Sequence, residues 1–169
     1  GSVAAPTAGL HLSEPLLQEL AVRGVERAAV VLHVGPGTFR PLRAADLAAG
    51  RLDPEDFELP EATALAVART RARGGRIVAV GTTTTRVLES CAAADRGVSA
   101  ALGETRIFLR PGDKFAVVDA LLTNFHLPRS GPLLLVSALA GREAVLAAYA
   151  TAVEKRYRFY SYGDAMLIL

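Results

Sequence analysis

Two short runs of aliphatic and β-branched residues, 28–34 (AAVVLHV) and 76–80 (RIVAV), are each preceded by a helix-length segment and followed by a glycine-bearing polar loop. That alternation constrains the chain more than any other feature. Strands buried on both faces carry continuous apolar runs, and parallel neighbours need helical crossovers between them. The pattern predicts an α/β domain with a largely parallel sheet. In such folds the chemistry collects in the loops at the C-terminal ends of the strands.

The helices announce themselves by their ends. Ser13-Glu14-Pro15 supplies a capping hydroxyl, an early carboxylate and a first-turn proline, and Gly24 is a stop. Pro60 opens a second helix that runs to Gly74-Gly75, and 86–90 continues as a helix after the threonine-rich turn. Residues 51–59 read as a polar connection, and 107–109 and 115–118 as strands around Pro111-Gly112. An apolar helix and an amphipathic one follow Ser130. In the second, Val145, Tyr149, Val153 and Tyr157 recur on one side, and 166–169 reads as a last strand.

Composition excludes several function classes. A single cysteine, Cys91, leaves no internal disulfide and fits a reducing compartment. No charged leader precedes an apolar segment, and no apolar run spans a bilayer, so the expectation is a cytoplasmic protein without a membrane partner. The net charge of +2 does not by itself diagnose nucleic acid. There is no phosphate-binding loop with a lysine and no dinucleotide fingerprint. His11, His33 and His126 lack metal-ligand spacing, so no metal is expected.

Three segments carry chemistry. In 81–86 (GTTTTR), Thr82, Thr83, Thr84 and Arg86 bring hydroxyls and a guanidinium to a helix N-terminus; they suit an anionic or polyhydroxy ligand, or simply cap the helix. In 123–130 (TNFHLPRS), Asn124, His126 and Arg129 share one loop. His126 reads equally as a proton carrier and as a backbone-bonded loop histidine. In 157–164 (YRFYSYGD), aromatics flank Arg158 and Asp164. Tyr157 and Phe159 suit a core-sealing cluster, whereas Tyr162 and Asp164 suit stacking on a base or facing a cation.

Taken with 1–11 (GSVAAPTAGLH) and 33–41 (HVGPGTFRP), these segments resemble, in this order and over essentially the whole chain, the C-terminal half of the S-adenosylmethionine:tRNA ribosyltransferase-isomerases of queuosine biosynthesis. The resemblance implies part of an α/β barrel-like domain, lacking the β-domain that the family inserts nearer its N-terminus. It implies transfer and isomerisation of the ribosyl part of S-adenosylmethionine onto 7-aminomethyl-7-deazaguanine at the wobble position of a tRNA with a GUN-type anticodon. Epoxyqueuosine forms; adenine and methionine leave. S-adenosylmethionine is a co-substrate, and no metal is implied.

On this resemblance His126, then His33 or His11, moves the proton, and Asp164 with Tyr162 faces the sulfonium or the substrate amine. Thr82, Thr83, Thr84, Arg86 and Asn124 hold the donor, while Arg40, Arg129 and Arg158 meet tRNA phosphates. The resemblance also implies a missing N-terminal half or a partner chain. Pro36, the Gly131-Pro132 pair, the absence of histidine in 51–54 and the absence of tryptophan before Ile107 depart from the family pattern. Two other readings stand beside it: a paralogue using S-adenosylmethionine on a small molecule, and a non-catalytic module that assembles with a partner.

Overall fold

The computed structural model describes residues 6–35, 41–94 and 96–169. A 3₁₀ turn over Thr7–His11 leads into α1 (Glu14–Val22), which carries Pro15 in its first turn and closes on Gly24 at φ 78°. Then come β1 (Val31–Leu32), α2 (Ala44–Ala49), β2 (Glu55–Leu59), α3 (Glu61–Ala72), β3 (Val78–Val80) and α4 (Thr82–Ser90). β4 (Ala101–Thr105), β5 (Ala120–Asn124), α5 (Gly131–Ala140), α6 (Arg142–Glu154) and β6 (Ala165–Ile168) complete the order. Among the described residues no single helix is long and apolar enough to cross a membrane.

The fold is mixed α/β, but the largely parallel sheet is not what forms. Two three-stranded sheets do: β1-β2-β4, antiparallel throughout, and β3-β5-β6, in which only the β3–β5 pair is parallel. The first sheet escapes the sequence pattern because β2 (EDFEL) is half-buried. Glu55, Phe57 and Leu59 face inward and Asp56 and Glu58 outward, so a two-residue alternation hides in a stretch that reads as polar.

The expected strands at 107–109 and 115–118 do not form either, because side chains take the amides that a ladder would use. The Glu89 carboxylate accepts from Ala116, Val117 and Val118 N–H at 2.8, 3.0 and 2.8 Å. The Val117 carbonyl accepts from Arg71, and the Ile107 amide donates to Thr105 Oγ1 at 3.2 Å. Next along the chain, burial alone would raise the Asp119 carboxyl. The Ile77 amide and the Arg71 and Arg96 guanidinium groups outweigh it and hold that carboxyl below the usual range.

α4 begins at Thr82, four residues before the expected start. Thr84 Oγ1 donates back to Val80 O at 2.8 Å and Thr85 Oγ1 to Gly81 O at 3.2 Å, which lets a β-branched run enter the helix. The buried positions of α6 are Val145 and Ala152; Val153 is 66% exposed, and Tyr157 lies past the helix end. The core is built from Val87 and Leu88 of α4, Leu121 of β5, Leu135 and Val136 of α5, and Phe57 and Leu59 of β2.

α4 touches strands of both sheets. Its Arg86, 6% exposed, ion-pairs with Glu55 of β2, and Glu55 Oε1 also accepts from the Gly35 amide at 2.8 Å. Removing one member of a buried pair strands the other charge, so Arg86→Met is expected to cost about 3–5 kcal/mol in urea unfolding. Adding Glu55→Gln to that variant restores part of the loss. A near-neutral Arg86→Met would show that the pair does not join the sheets.

Candidate active site

Because β3 and β5 are parallel, their C-terminal ends open on the same edge of the sheet; β6 runs the other way and contributes its N-terminal end there. Register sets Asn124 opposite Ala165, which brings the 157–164 loop beside the 123–130 loop. Gly81, at φ 89°, turns β3 directly into α4. A Cβ on Gly81 would stand 3.7 Å from that of Ala8, so the 3₁₀ turn closes the fourth side. The result is a cleft of about 380 Å³. Its polar lining is Thr7, Thr82, Thr83, Thr123, Asn124, His126, Ser130, Tyr160 and Ser161. None of these side chains carries a charge when His126 is neutral.

His126 is neutral well below pH 7, since burial lowers its pKa from 6.5 to about 4. Its Nε2 lies 2.9 Å from Thr123 Oγ1, and its amide donates to Tyr149 Oη at 2.7 Å. That contact seats the loop on an aromatic cluster in which Phe125 meets Tyr149, Tyr157 and Phe159 at centroid distances of 5.2, 5.9 and 5.1 Å. Two of these contacts are edge-on and the one to Phe159 is tilted, and such packing holds ring positions as well as burying area.

Asn124 gathers the other walls. Its Nδ2 donates to Tyr160 O at 3.1 Å, contacts Gly163 O at 3.5 Å, and lies 3.1 Å from His11 Nε2. Two carbonyl acceptors fix which end of the amide is nitrogen, so His11 Nε2 accepts and the proton of a neutral His11 sits on Nδ1. His11 itself is exposed at the rim.

The site residues expected from sequence divide. Thr82, Thr83, Asn124 and His126 line the cleft, with His11 bonded to it. Thr84 faces a different hollow of about 290 Å³, beside α3 and β3. Arg86 is engaged with Glu55. Asp164 and Tyr162 do not line the cleft, and Tyr162 is 86% exposed. The Asp164 carboxylate accepts from Arg158, through Nη2 at 3.1 Å and the amide at 2.7 Å. The Arg158 side chain and amide hold the Asp164 carboxyl below the usual range.

Exposed His33 follows β1 on the other sheet, its amide on Asp56 O at 2.8 Å, and is not part of the lining. Arg129, exposed at φ 59°, lies beside Leu42, whose amide donates to its carbonyl. Arg40 lies outside the described residues. Thr7, Thr123, Ser130, Tyr160 and Ser161 line the cleft without having been singled out. Ser130 alone carried a signal, as the hydroxyl before Gly131-Pro132 that caps α5 through Leu133 N–H at 3.3 Å. Among the described residues no three His, Cys, Asp or Glu side chains converge as metal ligands would.

A histidine depressed in the folded state costs stability as the pH falls. The unfolded chain takes the proton first near 6.5, and the folded chain only near 4. Stability therefore declines across that window by about 3 kcal/mol, at ~1.36 kcal/mol per pKa unit, and levels off below it for this group. His126→Gln is expected to flatten that limb in urea titrations. An unchanged limb would mean the imidazole is hydrated.

The model of the queuosine biosynthesis protein family matches residues 1–168. The chain is 60% identical over 169 residues to the S-adenosylmethionine:tRNA ribosyltransferase-isomerase of Anaeromyxobacter dehalogenans (strain 2CP-1 / ATCC BAA-258), covering all of this chain and 49% of that protein. It is 57% identical to the protein of the same name from Gloeobacter violaceus, covering 48% of it. A crystal structure of S-adenosylmethionine tRNA ribosyltransferase from Thermotoga maritima superimposes with a TM-score of 0.79 at 46% identity, over 96% of this chain and 51% of that one. The chain thus spans about half the length of the curated relatives it matches. By its sequence over its full length and by its fold, this chain belongs to the queuosine biosynthesis protein family.

Proposed function

We propose that this chain is the donor-binding half of an S-adenosylmethionine:tRNA ribosyltransferase-isomerase and that its uncharged, hydroxyl-lined cleft receives the adenosyl part of S-adenosylmethionine. The observation that supports this reading most is the lining itself. Thr82, Thr83, Thr123, Ser130, Ser161 and the Asn124 amide offer donors and acceptors suited to ribose hydroxyls, with Phe125 and Tyr160 beside them. The first-turn amides of α4 lie at the same wall. Since Arg86 is committed to Glu55, the methionine carboxylate is held elsewhere, on residues outside this lining.

In this reading a base removes the C5′ hydrogen that the sulfonium makes acidic, and the ribose opens with loss of adenine. The amine of the tRNA deazaguanine then attacks the unsaturated sulfonium, and departure of methionine closes the epoxide. His126 is the proton acceptor of the first step, with Thr123 Oγ1 as its neighbour. Unprotonated at neutral pH, it enters the reaction as a base, and the proton it can give to departing adenine is the one it has just taken from C5′. It is also a weaker base than an ordinary imidazole, a deficit that the acidity beside the sulfonium has to offset.

The rest of the enzyme packs, in the same reading, on apolar surface that this half leaves open. α1 has no buried residue; Val22 is 89% and Leu102 80% exposed.

With the complementary half supplied in trans, His126→Ala is expected to slow single-turnover adenine release by on the order of 100-fold or more. S-adenosylmethionine affinity should change only a few-fold. Undiminished release would remove His126 from the chemistry, and loss of binding alone would make it a donor contact.

A further inference from the structure

The 155–162 loop is held in a shape that turns aromatic rings to both sides. Tyr157, 47% exposed, and half-buried Phe159 each pack on buried Phe125, 5.9 and 5.1 Å between centroids. Tyr160 and Tyr162 are turned outward, 52% and 86% exposed. The reversal is made by Tyr160 at φ 73°, a left-handed conformation that a bulky residue rarely adopts and that must be stabilised by its surroundings.

Those surroundings are explicit. Tyr160 N–H donates to Phe125 O at 3.0 Å, its carbonyl accepts from Asn124 Nδ2 at 3.1 Å and from Gly163 N–H at 3.0 Å, and Asp164 N–H donates to Arg158 O at 2.8 Å. Gly163 has no room for a side chain, since a Cβ there would meet Arg158 O at 2.3 Å. A second left-handed residue, Arg156 at φ 59°, turns the chain out of α6 at the start of the loop.

The sequence therefore spends two unfavourable backbone conformations and a network of hydrogen bonds to present Tyr162 to solvent, next to Tyr160 and Ser161 on the wall of the cleft. Lys155, Arg156 and Arg158 are exposed along the same segment, against Glu154 and Asp164. An exposed ring on a hydrogen-bonded backbone, flanked by cations, is the pairing that holds unpaired bases, the ring by stacking and the cations by contact with phosphate.

We propose that this loop is a stacking platform for an unpaired nucleotide of RNA, the neighbour of the one presented to the cleft, with Tyr162 under the base and Lys155 and Arg156 toward the backbone. The proposal rests on the reading above that the cleft acts on a tRNA nucleotide, and it adds where the adjoining base is held.

The test compares binding of the purified chain to an RNA hairpin with an unpaired loop and to the same stem closed as an uninterrupted duplex. Tyr162→Ala should weaken hairpin binding by roughly ten-fold, leave duplex binding as it was, and be rescued by Tyr162→Phe, since stacking needs only the ring. Arg156→Gln should lower the slope of log affinity against log salt by about one. If Tyr162→Ala leaves hairpin affinity unchanged, weakens hairpin and duplex alike, or resists rescue by phenylalanine, the platform is overturned. So is it if the wild-type chain does not bind the hairpin. Titration of the wild-type chain with S-adenosylmethionine alone is read separately, so a failed platform is distinguishable from a failed donor site.

Discussion

The buried pair between Arg86 and Glu55 is the constraint on which the arrangement depends. Two sheets of different character, one antiparallel and one mixed, meet across α4, and this pair crosses from the helix to the first sheet. Burying two charges is expensive and is sustained only where the partners are geometrically fixed. Here the helix fixes one and the centre of the β1-β2-β4 sheet the other. At the far end of α4, Glu89 gathers three consecutive amides of the 116–118 segment that leads into β5. α4 is thus tied to one sheet through Arg86 and to the approach of the other through Glu89. Its N-terminus cannot move independently of the ends of β3 and β5.

That mechanical arrangement explains the electrostatics of the cleft. Two of the charged pairs that the sequence sets near it are bonded to each other rather than to the space: Arg86 with Glu55 and Arg158 with Asp164. Among the described residues, the polar groups facing the space are hydroxyls, an amide and a neutral imidazole. Such a lining recognises by the geometry of its hydrogen bonds rather than by charge. It suits a ligand that brings its own charge and must release its fragments after reaction.

Much of this was legible in the residues, and what was not has physical causes. Helix ends read well at Pro15, Gly24 and Pro60, which act through local backbone chemistry, whereas the Ser13 hydroxyl makes no capping hydrogen bond. Tyr157 and Phe159 do pack on Phe125 as an aromatic cluster, but at the surface rather than in the core: Tyr157 is 47% exposed and Phe159 half-buried. β2 was illegible because Glu55 faces inward to meet Arg86 across 31 positions of sequence, so a buried carboxylate looked like surface. The 115–118 segment looked like a strand because its β-branched residues are core residues; nothing local says that Glu89 takes its amides. Thr84 went to the wrong side because four identical residues cannot show which of them a helix turns toward the cleft. Family resemblance supplied what periodicity could not: that the three loops belong to one site.

The most direct measurement is a ¹⁵N–¹H titration of the chain with S-adenosylmethionine. Amide shifts are expected to concentrate at Gly81, Thr82 and Thr83, at Asn124 and His126, and at Tyr160 and Ser161, with the hollow beside α3 and β3 unaffected. Shifts centred on Thr63, Thr70 and Thr84, or no saturable shift at all, would contradict a donor site in the cleft.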